Sequence, residues 1–145
     1  MFPKMVHAVD GILRGKNGKI ILIRRISETY KGYWAIPGGA VEMNETVEEA
    51  LIREMREETG VTVKPTDILG VFSAVDRDPR GRVISTVFVC TYQGTPNSGS
   101  DAGEIKICTL EEALGLELAF DHNQILKSYQ RWLTQRGTYW SNKIL

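Results

Sequence analysis

At 145 residues, with 42% hydrophobic and 25% charged residues, 14 glycines and 5 prolines, the chain is long enough to bury one core and too ordinary in composition for a disordered, collagen-like or disulfide-framed molecule. Eighteen lysines and arginines balance eighteen aspartates and glutamates, so no global basic field exists to hold nucleic acid, and any phosphate binding must be local. The only cysteines, Cys90 and Cys108, suit a reducing compartment, and neither a bilayer-spanning run nor the apolar stretch of a signal peptide is present, so the expectation is one cytoplasmic domain over residues 1–145 with no membrane or nucleic-acid partner.

Strand patterns cover residues 6–13 and 19–25 and flank Lys16-Asn17-Gly18. Asn-Gly between apolar stretches signals a hairpin, because both residues tolerate the positive φ of a tight turn. Next comes Trp34-Ala35-Ile36-Pro37-Gly38-Gly39, whose glycine pair lets backbone approach a ligand closely. Thr46 followed by Glu49 is a capping box that starts a helix at about Val47, and Gly60 supplies the left-handed residue that ends it. Further strands are predicted at 61–63, 68–75 and 83–93, the last two joined across Asp78-Pro79-Arg80-Gly81, a turn sequence. Residues 95–103, with Pro96, Gly99 and Gly103, read as a surface loop before a strand at 104–109. A short helix follows Thr109, with Glu112 at the box position. A third begins after Asp121, with Gln124 at the box position and Ile125, Leu126, Tyr129, Trp132 and Leu133 at helical spacing, a stripe for packing on the sheet.

The informative stretch is Arg53-Glu54-Met55-Arg56-Glu57-Glu58-Thr59-Gly60. At about 100° per residue, Glu54, Glu57 and Glu58 share one face within a turn, while Leu51, Ile52 and Met55 take the neighbouring face and point into the core. Like charges at this spacing destabilise a helix and, near its C-terminal end, oppose its dipole. A divalent cation reverses both penalties, and hard carboxylate oxygens suit Mg²⁺ or Mn²⁺. Backbone carbonyls of the glycine pair are further candidate ligands.

The pattern from Gly39 to Val61 reads Gly, five residues, Glu45, seven residues, Arg53-Glu54-Met55, one residue, Glu57-Glu58, one residue, Gly60-Val61. It matches the Nudix box, and the chain is identified as a member of the Nudix hydrolase family. The resemblance implies an α/β fold, an α/β/α sandwich with a mixed β-sheet, and cleavage of nucleoside diphosphates linked to another group with the aid of divalent cations. Carried over residue by residue, it makes Glu54, Glu57 and Glu58 metal ligands, Glu54 also a candidate general base, the Gly38 carbonyl a further ligand, and Glu45 and Arg53 supporting residues. Glu104 lies where many relatives place another acidic ligand or base, and Arg25 where relatives often have a phosphate-contacting arginine. Trp34 and His122 are better read as core or satisfied polar residues.

Ser73-Ala74-Val75-Asp76-Arg77-Asp78-Pro79-Arg80-Gly81 resembles the arginine loop of the small ADP-ribose pyrophosphatase branch, as does Leu118-Ala119-Phe120-Asp121-His122. The expected reaction is therefore hydrolysis of ADP-ribose to AMP and ribose 5-phosphate, with Arg25, Arg77 and Arg80 binding substrate. Two rival readings are a nucleoside triphosphate pyrophosphohydrolase and a non-catalytic ADP-ribose-sensing module. The branch resemblance also implies a homodimer.

Overall fold

In a computed structural model of the chain, which describes residues 4–99 and 103–145, strands β1 (Val6–Arg14) and β2 (Ile20–Arg24) form the expected hairpin. The turn differs in one respect. Only Gly18 is left-handed, at φ 80°, while the Asn17 side chain accepts the Lys19 N–H at 3.0 Å and the Gly15 N–H donates to the Lys19 carbonyl at 2.9 Å. A turn closed by a single left-handed glycine needs no second positive φ.

Beyond the hairpin the two strands part. β3 (Trp34–Ala35) pairs with the end of β2, and β4 (Gly38–Ala40) with the start of β1. The helix α1 (Val47–Thr59) begins at the Thr46–Glu49 capping box and stops at Gly60, φ 75°, as the sequence predicts. Its last carbonyls are satisfied by the loop at 95–99: the Asn97 N–H bonds to the Thr59 carbonyl at 2.9 Å and the Gly99 N–H to the Glu58 carbonyl at 3.2 Å. Residues 100–102 of the expected loop lie outside the described residues.

The separate strands expected at 61–63 and 68–75 are one strand, β5 (Thr62–Phe72), antiparallel to β6 (Val83–Gln93). Register shifts between Pro65 and Asp67 and between Ile68 and Gly70 absorb the proline, which a regular ladder would reject. β6 runs parallel to β1 along its whole length, β7 (Ile105–Cys108) pairs with β2, and β8 (Tyr139–Trp140) adds at Gly70 and Val71. The result is a mixed eight-stranded sheet. The short helix α2 (Leu110–Leu114) has its capping box, but α3 (His122–Thr134) does not. The Asp121 carboxylate is held by Arg77 instead, and the Gln124 amide donates to the Ser141 carbonyl.

Alternation along the central strands divides the core in two. Leu13, Ile21, Phe88 and Cys90 pack with Ala50, Leu51 and Met55 of α1. Their neighbours Ile12, Ile20, Leu22, Val87 and Val89 pack on the opposite face with Ala113 of α2 and Ile125, Leu126, Tyr129 and Trp132 of α3. Helices thus cover both faces of the sheet, the expected α/β sandwich. Ile52 and Leu133, both expected in apolar stripes, are exposed, because each sits at the edge of its stripe, past the arc a sheet can cover. Among the described residues no helix is long and apolar enough to cross a membrane.

Candidate active site

The parting of β1 and β2 opens a cleft of about 810 Å³. Its walls come from β4, the C-terminal half of α1, the β5–β6 connection at 73–82 and the segment before α3.

Part of the cleft lining is acidic. The cap at Thr46 fixes the register of α1, so Glu54, Glu57 and Glu58 all line it, beside Gly38 and Gly39. Gly39 is bare because a Cβ there would meet the Glu54 carboxyl oxygens at 2.4 and 2.5 Å, and a Cβ on Gly38 would meet the Val9 carbonyl at 2.3 Å. Arg53 lies behind this set. It bonds to both Glu45 carboxylate oxygens, one by Nε at 3.0 Å, and to Glu54 at 2.8 Å, Glu57 at 3.4 Å and the Ala40 carbonyl at 3.0 Å. A single guanidinium therefore ties the loop before α1, the strand β4 and the carboxylate face together.

Burial, the neighbouring Glu54 and Asp10 push the Glu58 carboxyl up to about 9. Burial also raises Glu54, against the hydrogen bond it receives from Arg53. Among the described residues no three acidic, imidazole or thiol side chains are preassembled as a metal cage. The donor chemistry nevertheless fits a divalent cation: crowded, partly buried carboxylates whose burial and mutual proximity raise Glu54 and Glu58.

The lining is also basic, and Arg25 lies near enough to Glu58 to feel its charge. Arg25 is held by the Thr29 carbonyl at 2.7 Å and the Ser27 hydroxyl at 2.8 Å. Arg80 pairs with Asp78 at 2.8 Å. Arg77 lines the cleft too, but two of its nitrogens bond to Asp121 at 2.7 and 2.9 Å, and the pair is buried. The structure thus brings Gly38, Glu54, Glu57, Glu58, Arg25, Arg77 and Arg80 into one cleft, with Glu45 and Arg53 supporting it. Glu104 is not brought in: it is exposed and pairs with Arg24 at 3.1 Å. Trp34 packs at the margin of the larger core. His122 is buried, and its Nδ1 accepts the Ile36 N–H at 3.0 Å.

Sequence reasoning missed Asp10, buried in the cleft floor, hydrogen-bonded to the Ser85 hydroxyl and 3.8 Å from the His122 ring. A signal was available, since Asp10 interrupts the apolar run from Ala8 to Leu13 at a position that alternation turns inward. Phe120, another lining residue, had none beyond its place before Asp121.

Residues 4–133 match the NUDIX domain, and the chain belongs to that family, whose members use divalent metal ions. It is 50% identical over 126 residues to the ADP-ribose pyrophosphatase of Methanocaldococcus jannaschii, covering 86% of this chain and 73% of that protein. Over 145 residues it is 29% identical to the ADPR responsive transcriptional repressor NtrR of Acinetobacter baylyi, spanning 95% of this chain but 58% of the repressor. Among solved structures, a bifunctional NMN adenylyltransferase/ADP ribose pyrophosphatase from Francisella tularensis superposes with a TM-score of 0.75 at 29% identity, covering 94% of this chain and 43% of that one. A mutT/nudix family protein from Listeria innocua does so with a TM-score of 0.71 at 35% identity, covering 92% and 97%.

Proposed function

We propose that this chain hydrolyses the diphosphate of ADP-ribose, with water adding across one phosphoanhydride bond to give AMP and ribose 5-phosphate. The observation that carries the reading is the single cleft lined both by the carboxylate face of α1 and by arginines, which suits an anionic diphosphate met by a cation and by guanidinium groups together. The likeness to the Methanocaldococcus jannaschii pyrophosphatase supports the choice of substrate.

Glu54, Glu57, Glu58 and the Gly38 carbonyl would hold Mg²⁺ or Mn²⁺, which supplies charge neutralisation and a more acidic water when bound. The chain's own residues do the rest. Glu54 is placed by Arg53 and by the bare Gly39, where it can take the proton of the attacking water. Glu45 holds Arg53 in place. Arg25 and Arg80 offer N–H donors to phosphate and sugar oxygens. Arg77 and Arg80 each bind a carboxylate through two nitrogens, but the Arg77 side chain is buried where that of Arg80 is exposed, so Arg77 presents less of its guanidinium, and Glu104 would have to leave Arg24 to act as ligand or base. Cys90 and Cys108 are both unpaired and buried, which suits the cytoplasm, and a homodimer is the assembly to be sought by light scattering.

The test is a substrate panel. With Mg²⁺, ADP-ribose is expected to give AMP and ribose 5-phosphate, with turnover abolished by excess chelator and by Glu57→Gln or Glu58→Gln. Glu54→Gln is expected to lower kcat by about 10²- to 10⁴-fold, the range of general base catalysis. A smaller loss there with a large one in Glu104→Gln moves the base to Glu104. Pyrophosphate release from a preferred nucleoside triphosphate overturns the substrate, and tight ADP-ribose binding without turnover makes the chain a sensor.

A further inference from the structure

Tyr30 and Phe120 are the two residues other than glycine, among those described, with left-handed backbone, at φ 54° each. Bulky side chains rarely adopt that conformation, and it persists only where the surroundings impose it. The two rings pack on each other, centroids 4.9 Å apart, and Tyr33 braces Tyr30 edge-on at 5.2 Å.

What the strained backbone achieves is the placement of one ring within reach of two cations. The Arg25 guanidinium carbon lies 4.8 Å from the centre of the Phe120 ring and that of Arg80 lies 5.5 Å from it. These arginines come from different parts of the chain, one just after β2 and the other from the β5–β6 connection. Both line the cleft together with Phe120. Two like charges so close repel, and burial first, then Arg80, lowers the Arg25 pKa from its ordinary value. Asp78 bonds directly to Arg80 alone, while Arg25 is held by a carbonyl and a hydroxyl and feels Glu58 and Asp78 only through space. The negative face of an aromatic ring attracts a guanidinium without consuming its N–H donors. Asp78 already takes two nitrogens of Arg80, and Thr29 and Ser27 take two of Arg25, so a further carboxylate in place of the ring would consume the donors that remain.

We propose that Phe120 is a positioning residue, its ring wedged by Tyr30 so that it gathers Arg25 and Arg80 into one two-guanidinium clamp for the phosphate oxygens of the substrate. The clamp rests on the ADP-ribose reading for its natural ligand but needs only a diphosphate to be tested. Phe120 touches the arginines and acts on substrate through them.

The experiment measures binding of inorganic pyrophosphate and of ADP-ribose to chelator-treated protein by calorimetry, so no turnover enters. Phe120→Asn keeps a residue that tolerates left-handed backbone and removes the ring. It is expected to weaken both ligands by about tenfold, the scale of one or two cation–π contacts, while Phe120→Tyr stays within about threefold of the wild type. In an Arg25→Ala/Arg80→Ala background, Phe120→Asn is expected to cost nothing further. With metal present, KM rises and kcat holds. Phe120→Leu, bulky but without a π face, reads the same loss should the asparagine variant not fold. Wild-type affinity in Phe120→Asn, a Phe120→Tyr as weak as Phe120→Asn, an undiminished loss in the double-arginine background, or a wild type that binds neither anion overturns the clamp. Binding of pyrophosphate without ADP-ribose instead overturns the substrate and leaves the clamp to be judged on pyrophosphate.

Discussion

Gly38 and Gly39 are adjacent, neither takes a left-handed φ, and each is bare for a different reason. At Gly39 the space is filled by the end of a flexible side chain, the Glu54 carboxyl, whereas at Gly38 it is filled by the Val9 carbonyl and the buried Asp10. A side-chain tip can swing away; a strand backbone cannot. Gly39→Ala is therefore expected to leave the melting temperature nearly unchanged but to displace Glu54 and lower kcat by about 10²-fold, the scale of a 1 Å misplacement of a reacting group. Gly38→Ala is expected to destabilise the fold by about 1–3 kcal/mol, as overpacking does. Thermal melts beside steady-state kinetics separate the two, and full activity in Gly39→Ala would show that Glu54 is not held where the chemistry needs it.

At the scale of the element, what was legible in the sequence was what is decided locally. The helix α1 carries its cap, its box, its stop and its three carboxylates within fifteen residues of chain, so its bounds and its acidic face could be read directly. β3 and β4, two and three residues long, are too short for any period to appear. The bulged β5 hid its continuity behind Pro65, and the Arg77–Asp121 pair, 44 residues apart, depends on packing that no local pattern encodes. The same is true of the C-terminal segment. The Ser141 hydroxyl accepts the N–H groups of Ser73 at 2.8 Å and Ala74 at 3.1 Å, where the β5–β6 connection leaves the sheet, and β8 just before it pairs with Gly70 and Val71. Ser141→Ala strands both donors and is expected to cost about 1–3 kcal/mol in denaturant unfolding. It also loosens the connection that carries Arg80, so KM is expected to rise with kcat little changed. Unaltered stability would show that water replaces the hydroxyl and that the connection is fixed from elsewhere.

For the whole molecule, the buried carboxylates make stability depend on pH and on metal together. Burial first, then Glu54 and Asp10, raise the Glu58 carboxyl from 4.5 to about 9 in the folded chain. A carboxyl raised on folding favours the native state fully below its unfolded value, near 4.5, and that contribution is lost as pH rises toward about 9, because only the unfolded chain then ionises freely. Asp78 works in the opposite sense: burial raises it, but the hydrogen bonds and charge of Arg80 prevail and hold it below its ordinary value, so its contribution is lost only in acid. Between about pH 5 and pH 9 the metal-free protein is thus expected to lose stability, because Glu58 stays protonated in the folded chain while the unfolded chain gains from ionising it. A divalent cation needs that ionised form, so binding displaces the proton and strengthens by up to about tenfold per pH unit while Glu58 remains protonated. Melts with and without Mg²⁺ or Mn²⁺ from pH 5.5 to about 8.5 are expected to show a gap that widens with pH. Glu58→Gln, neutral at every pH, should raise the metal-free melting temperature at about pH 8 by roughly 2–4 °C for each kcal/mol recovered, and should remove most of the metal's effect and its pH dependence. A gap that stays constant with pH in the wild type, or persists undiminished in Glu58→Gln, would place the cation away from the carboxylate helix.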